Sequence, residues 1–358
     1  MRHSAIALAH HIISDDAPPF VIAELSGNHN QSLDRALAVI DAVAASGAQA
    51  VKLQTYTADT MTLDLREREF VIDDATSLWN GRSLYDLYQE AHTPWEWHPR
   101  LFARARELGL VCFSSPFDDT AVDFLESLDC PAYKIASFET TDVRLLRKVA
   151  RTGKPIIVST GMATLAEIHQ AVATIRGEGN EQIVLLKCTS TYPAEPTDSD
   201  LRTIPHLRRA FDVQVGLSDH TLGIGVSIAA VALGSTVIEK HVTLDRNDGG
   251  VDAAFSLEPQ ELRALVEETR RAHASLGAVR YGGSVSETAS KQFRRSLYVV
   301  EDLAAGSVLD GANVRAIRPG LGLAASEFDR VIGMRVQRDV LRGTPLDWSM
   351  LRSDEDSP

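Results

Sequence analysis

Two histidines offer the clearest chemistry in this chain. His220 closes the run Val-Gly-Leu-Ser-Asp-His and His241 closes Thr-Val-Ile-Glu-Lys-His, with the apolar run Val226 to Leu233 between them. That run is long enough for one crossover helix. Parallel strands joined by a right-handed crossover point the same way, so both imidazoles are expected at one carboxyl edge of a sheet. Two neutral imidazoles meeting there suit a divalent metal that keeps open positions for water or substrate. A lone histidine in such a place would more simply cap its strand and bond a carbonyl; the matched pair favours a ligand set.

Other polar residues close short apolar runs in the same way. They are Glu24, Lys52, Gln54, Ser115, Lys134, Ser137, Glu139, Ser159, Thr160, Ser190, Tyr192, Ser218, Asp219 and Glu239. Two lysines among several hydroxyls suit a phosphate and a carboxylate, because both groups offer donors to oxyanions. The carboxylates suit proton transfer. A plainer reading pairs Lys52 and Lys134 with Glu24, Glu139 or Glu239 as internal ion pairs, since buried charge is costly unless paired or used. Ser218 and Asp219 equally suit turn caps. Met162 and the aromatic residues between Thr57 and Thr93 read as packing.

The elements that must position these residues alternate regularly. Strands end at Glu24, Gln54, Ser114, Ala136, Ser159, Lys187, Leu217 and Lys240, and helical spacing follows each, for example Leu33, Leu37, Ile40 and Val43 before Gly47. Eight strands, each followed by a helix, predict a (β/α)8 barrel whose strand ends converge on one cleft. Thr57 to Thr93 interrupts that rhythm as a long irregular insertion, expected to act as a lid or binding loop. The barrel is assigned to residues 1–280 and a polar linker to 281–294. Residues 295–358 then carry an internal echo: Asp302-Leu-Ala-Ala-Gly-Ser-Val-Leu-Asp310 matches Asp339-Val-Leu-Arg-Gly-Thr-Pro-Leu-Asp347, which predicts a small β-rich module.

Composition narrows the function. The 358 residues hold 36 basic against 49 acidic side chains, a net charge of -13, which argues against nucleic acid as a partner. No apolar run approaches the roughly 20 residues needed to span a bilayer. The N-terminal stretch to Asp16 lacks a cleavage-like site, so a cytoplasmic location is expected. Cys112, Cys130 and Cys188 have no metal-like spacing and read as small buried hydrophobes in a reducing compartment.

Several segments in order resemble the sialic acid synthase family: Ala-Glu-Leu-Ser-Gly-Asn-His (23–29), Val-Lys-Leu-Gln-Thr-Tyr (51–56), Tyr-Lys-Ile-Ala-Ser-Phe-Glu (133–139), Val-Ser-Thr-Gly-Met (158–162), Gly-Leu-Ser-Asp-His-Thr (216–221) and Ile-Glu-Lys-His (238–241). The C-terminal segment around Arg318-Pro319-Gly320 resembles the antifreeze-like (SAF) domain of those enzymes. The resemblance covers nearly the whole chain. It implies condensation of phosphoenolpyruvate with an open-chain amino sugar to a nine-carbon 2-keto acid and phosphate. It implies His220 and His241 as ligands of Mn2+ or Mg2+. It implies Lys52, Ser115, Lys134, Ser137, Ser159, Ser190 and Ser218 around phosphoenolpyruvate, and Glu24, Gln54, Glu139, Tyr192 and Asp252 near the sugar or in proton transfer. Arg318 would reach a neighbouring barrel across a domain-swapped homodimer.

Within the family, Ser190 stands where N-acetylneuraminate synthases typically have asparagine. Trp79-Asn80 through Tyr88, Lys187 to Pro193 and Ala254 to Glu258 are similar to the branch whose acceptor is 2,4-diacetamido-2,4,6-trideoxy-L-altrose. An acceptor of the N-acetylneuraminate or legionaminate type is the alternative. An aldolase with a lysine Schiff base, or an inert barrel carrying a carbohydrate-binding module, are the readings outside that reaction.

Overall fold

In the computed structural model, which describes residues 4–75 and 77–352, the chain forms two compact units that divide after Gly277. Met1–His3 and Ser353–Pro358, the outer ends of the two domains assigned from sequence, lie outside the described residues. The first unit opens with a hairpin, β1 (Ile6–Leu8) and β2 (His11–Ile13), whose pairing buries Ile6, Leu8 and Ile13.

Eight parallel strands then close a barrel: β3 (Phe20–Glu24), β4 (Ala50–Thr55), β5 (Val111–Pro116), β6 (Tyr133–Ile135), β7 (Ile156–Ser159), β8 (Ile183–Cys188), β9 (Gln214–Ser218) and β10 (Val237–His241). β10 pairs with β3, so the sheet has no edge. The strands are buried on both faces, which is why they read as continuous apolar runs rather than alternating ones. Helices α1 (Leu33–Ser46), α4 (His98–Glu107), α5 (Asp119–Glu126), α6 (Val143–Ala150), α7 (Leu165–Gly177), α8 (Thr203–Phe211), α9 (Gly225–Ala232) and α10 (Pro259–Leu276) cover it. Their ends follow local chemistry. Ser32 accepts from the Arg35 amide at the start of α1 and left-handed Gly47 stops it; Thr164 and Glu167 form a reciprocal cap on α7.

Two departures from the sequence reading matter for the cleft. β6 ends at Ile135, one residue before the strand end read from sequence, and a 3-10 turn, Ser137–Glu139, carries Glu139 to the cavity wall. The insertion is structured: α2 (Ala58–Met61), a 3-10 turn at Arg68–Phe70 and α3 (Leu84–Ala91), with Ser83 capping α3 through the Asp86 amide. Gln31 Nε2 latches the end of α3 by donating to the carbonyls of Glu90 and His92, both at 2.8 Å. Trp79 Nε1 donates to the Val251 carbonyl at 3.0 Å.

The second unit is β-rich, with β11 (Ser296–Val299) against β12 (Val314–Ile317), the short helix α11 (Phe328–Val331), and β13 (Arg335–Val336) against β14 (Leu351–Arg352). Its own core contains Leu297, Val299, Leu309, Val314, Val336 and Leu346. The echo seen in sequence becomes a reciprocal contact. Asp302 accepts from the Arg342 amide and Asp339 from the Ala305 amide, each at 2.8 Å, while Leu303 bridges Val340.

Candidate active site

The carboxyl ends of the barrel strands enclose a cavity of about 400 Å³. β3 brings Glu24, β4 Lys52 and Gln54, β7 Ser159, β9 Ser218 and β10 Glu239 and His241; Lys134, Ser137, Glu139, Tyr192, His220 and Asp252 complete the polar wall. Ser115 and Ser190 do not line it. Ser115 lies in β5 opposite Gln54, and Ser190 Oγ lies 3.8 Å from Cys188 Sγ. Arg318 is exposed on the second unit, just past β12.

At the floor, two lysines share one carboxylate oxygen, that of Glu239. Lys52 Nζ lies 2.9 Å from Glu24 Oε1 and 3.4 Å from Glu239 Oε1, and Lys134 Nζ lies 3.3 Å from the same Glu239 oxygen, to which Ser218 also donates at 3.0 Å. The pairing foreseen from sequence as a plain alternative is therefore present, and it faces open volume. Two cations and two anions leave the cluster formally neutral, which is what makes their burial tolerable. Burial alone would raise the Glu24 carboxyl, but Lys52, then His241 and Lys134, and the Gln54 amide at 2.7 Å hold it well below the usual range. Burial lowers Lys134, with Glu239 opposing and Lys52 reinforcing that fall. Glu139 differs: burial pushes its carboxyl up to about 7, because its own backbone amide and Lys134 only partly compensate.

The two histidines meet above this floor with ring centroids 5.3 Å apart. His220 Nδ1 lies 2.9 Å from the Thr189 carbonyl, which can only accept, so Nδ1 carries the proton and, in the neutral ring, Nε2 the lone pair; burial lowers its pKa, but Cys188 and the Thr189 carbonyl outweigh that and raise it. His241 Nε2 lies 3.2 Å from Glu24 Oε2, so it donates and the lone pair falls on Nδ1. Burial keeps His241 neutral by lowering its pKa against the pull of Glu24 and Asp252. That lone pair faces Asp252 Oδ2 at 3.7 Å, too long for a hydrogen bond, and Nδ1 has no hydrogen-bond partner. Ser26 Oγ orients the same Asp252 oxygen. A lone pair facing a carboxylate across a gap suits an intervening cation, so the residues fit a divalent metal. Among the described residues no three His, Cys, Asp or Glu side chains are already gathered as a complete cage, so solvent or substrate would fill the remaining positions.

Buried polar atoms without partners mark where a ligand belongs. Five of them are in this region: Ser115 Oγ, Ser159 Oγ, Glu139 Oε2, Glu239 Oε2 and His241 Nδ1. Gly161 has no room for a side chain. A Cβ there would lie 2.2 Å from Ser190 Oγ and 2.7 Å from Ser137 Oγ, and its amide donates to Ser137 Oγ at 3.2 Å.

Opposite the charges the wall is apolar and aromatic. Tyr56, Ile72, Trp79, Leu84, Tyr88 and Phe117 line it. Tyr56 meets Tyr88 and Phe117 edge-on, and Trp79 lies 5.7 Å from the Tyr192 ring. This corrects the reading of the insertion aromatics as packing. Met162 is also not packed: it is 62% exposed on left-handed backbone. Cys188, read as an inert small hydrophobe, lines the cavity with Sγ 3.9 Å from His220 Nδ1. Burial would raise its thiol, yet His220, Ser137 and Lys134 hold it down at about 6. Its place at the end of β8 was the signal available in sequence. Asp219 does not cap α9, which begins after Ile224; it bonds Thr221 and Ser227 instead.

Known proteins are similar to this chain. The NeuB family model matches residues 39–281 and the SAF domain model matches 294–352. The chain is 42% identical over 331 residues to a pseudaminic acid synthase of Campylobacter jejuni, covering 92% of this chain and 96% of that one. It is 43% identical over 330 residues to the pseudaminic acid synthase of Helicobacter pylori, with the same two coverages. Among solved structures, an N-acetylneuraminic acid synthetase from Leptospira borgpetersenii superposes with a TM-score of 0.73 at 31% identity, over 81% of this chain and 95% of that one.

Proposed function

The chain belongs to the NeuB family, and from that membership we propose that it condenses phosphoenolpyruvate with 2,4-diacetamido-2,4,6-trideoxy-L-altrose and water, giving pseudaminic acid and phosphate. The observation that carries the proposal is one cavity with a lysine-rich floor, a histidine pair at its side and an aromatic wall opposite. The lysines and unpaired hydroxyls suit a small dianion and carboxylate. The aromatic wall suits a sugar that carries a methyl group and two acetamides in place of hydroxyls.

Lys52 and Lys134 hold the phosphate and carboxylate of phosphoenolpyruvate, with Ser137, Ser159 and Ser218 as hydroxyl donors. His220 and His241, with Asp252 beside them, would hold Mn2+ or Mg2+, which when bound supplies Lewis acidity to the acceptor's aldehyde oxygen. Glu24 fixes His241 as the tautomer with its lone pair on Nδ1. C3 of phosphoenolpyruvate then attacks the aldehyde carbon, and positive charge develops at C2. Water adds to C2 and gives its proton to Glu139 Oε2, the unpartnered carboxylate oxygen on the rim. Of the two carboxylates considered from sequence, Glu139 suits this step because its affinity for a proton is raised, whereas Glu24 is locked as an anion. The aldehyde oxygen, left as an alkoxide by the new carbon–carbon bond, takes that proton from Glu139, and the tetrahedral intermediate loses phosphate by C–O cleavage as its C2 hydroxyl becomes the ketone and its proton leaves with the phosphate. Gln54 and Tyr192 lie on the sugar side of the wall.

Phosphate release with the diacetamido-trideoxy sugar and with N-acetylmannosamine, each beside phosphoenolpyruvate and Mn2+, tests the assignment. The diacetamido sugar is expected to have the higher kcat/KM by at least about 100-fold, the discrimination that several wall contacts of about 1 kcal/mol can give. Preference for N-acetylmannosamine would overturn it. Arg318 is exposed and accessible to a partner, which supports a swapped homodimer in which it approaches the neighbouring barrel. A fully active monomer by sedimentation would exclude that arrangement. Among the described residues no helix is long and apolar enough to cross a membrane.

A further inference from the structure

A second polar layer lies behind the histidine pair. Successive residues of a strand point to opposite faces, so Asp219 and Lys240, the residues before His220 and His241, face away from the cavity toward the helix layer. Lys240 Nζ lies 3.1 Å from Asp219 Oδ2 and donates to the Thr221 carbonyl at 2.6 Å. Ser227 of α9 donates to Asp219 Oδ2 at 2.6 Å, and Thr221 donates to Asp219 Oδ1 through its amide at 2.9 Å and its hydroxyl at 2.7 Å. Neither charged side chain has more than 1% of its surface exposed.

We propose that Asp219 and Lys240 are positioning residues, a clamp that fixes the separation of His220 and His241, and that the clamp acts on metal affinity more than on fold stability. The proposal rests on the reading of those histidines as metal ligands.

The strand ladder shows why a clamp is needed. Its last register pair between β9 and β10 is Ser218 with Glu239, and the last backbone bond beyond it runs from the Asp219 amide to the Glu239 carbonyl at 2.9 Å. His220 lies beyond that bond, where sheet geometry no longer dictates its distance from His241. The ion pair takes over at that level, and the bond from Lys240 to the Thr221 carbonyl grips the chain just after His220. The loop on the other side does its share: the Ala194 amide donates to the His220 carbonyl at 3.0 Å.

Energetics separate this role from general stabilisation. Taking an ammonium and a carboxylate out of water offsets most of their attraction, and apolar pairs of similar size are often as stable or more so. The clamp also has no vacancy of its own. Both Asp219 oxygens are engaged, unlike the orphaned atoms that face the cavity. It is a joint between elements rather than a ligand site, and its output is the geometry of the two imidazoles.

The test uses the full chain without substrates. Mn2+ is titrated and the free aquo ion is counted by electron paramagnetic resonance, beside thermal unfolding of the metal-free protein. In Asp219→Leu/Lys240→Met the unfolding midpoint is expected to stay within a few degrees of the parent while Mn2+ affinity falls roughly 10- to 100-fold, the usual effect of removing a residue that orients metal ligands. If that variant does not fold, Ser227→Ala carries the test. It removes one bond to Asp219 and leaves the ion pair, so affinity is expected to fall about fivefold, the worth of one hydrogen bond. Parent-like Mn2+ affinity in a folded double variant, or in Ser227→Ala where that is the variant measured, overturns the clamp. A parent that binds no Mn2+ removes the metal reading, and the clamp with it.

Discussion

Replacing Glu139 by glutamine has a consequence for stability that can be worked from the site. The carboxyl is raised from an ordinary 4.5 to about 7 by burial. A carboxyl that is raised on folding binds its proton more tightly in the folded chain, so the folded state is favoured at low pH. That advantage is lost as pH rises through the interval from 4.5 to 7 and stays lost above it. Linkage puts the loss at about 1.4 kcal/mol by pH 5.5 and about 3.4 kcal/mol by pH 8.5. Glutamine does not titrate, so Glu139→Gln is expected to gain about 2 kcal/mol on the parent between those two pH values. For a barrel of this length the full gain at pH 8.5 corresponds to roughly 5 °C in the unfolding midpoint. The assay is paired thermal unfolding at the two pH values, with the barrel's transition followed. Activity should move the opposite way. The parent rate is expected to rise tenfold per pH unit below about 7 and then level off, and the variant should lose that limb and about 100- to 10,000-fold in rate. A variant no more stable than the parent at pH 8.5, or one that keeps a limb centred near 7, would refute both the burial argument and the choice of base.

Three further outcomes follow from the same cavity. His241→Ala removes the Nδ1 lone pair facing Asp252; it should abolish Mn2+-dependent phosphate release and leave circular dichroism unchanged, and near-parent turnover with metal chelated would contradict the ligand assignment. Gly161→Ala places a methyl group against the Ser190 and Ser137 hydroxyls, so steady-state kinetics should show the KM for phosphoenolpyruvate raised at least tenfold with a smaller effect on that for the sugar. Gly216→Ala drives a Cβ to 2.2 Å from the Val237 carbonyl oxygen of the neighbouring strand; backbone cannot yield cheaply, and a loss of several kcal/mol is expected in denaturant unfolding.

The barrel was legible because its logic is one-dimensional. A parallel strand buried on both faces writes itself as a run such as Phe20 to Ala23, and the first polar residue after it is a cavity residue. That rule found Glu24, Lys52, Lys134, Ser218, Glu239 and both histidines, all of which line the cavity. It also named Ser115 and Ser190, which do not line the cavity, because it reads neighbours of lining residues such as Gln54 and Cys188 as lining residues themselves. The aromatic side was hidden for another reason. Trp79 and Tyr88 belong to an insertion whose direction is set by Gln31, the Trp79 indole and a two-turn helix, contacts that join residues far apart in the chain. Nothing in their local pattern separates a packed ring from one that faces a ligand. Glu139 was found as a residue, but its proton affinity was not, since that depends on a 3-10 turn tucking it beside, rather than against, Lys134.

The reciprocal grip of Asp302 on the Arg342 amide and Asp339 on the Ala305 amide makes the small unit a closed handshake between two halves. Each half supplies the acceptor that the other half's turn needs, and each covers the other's leucines and valines. A chain cut between the halves would thus be left with bare apolar faces and unmatched turns on both pieces, so the unit should disappear as a whole rather than shrink to half its size.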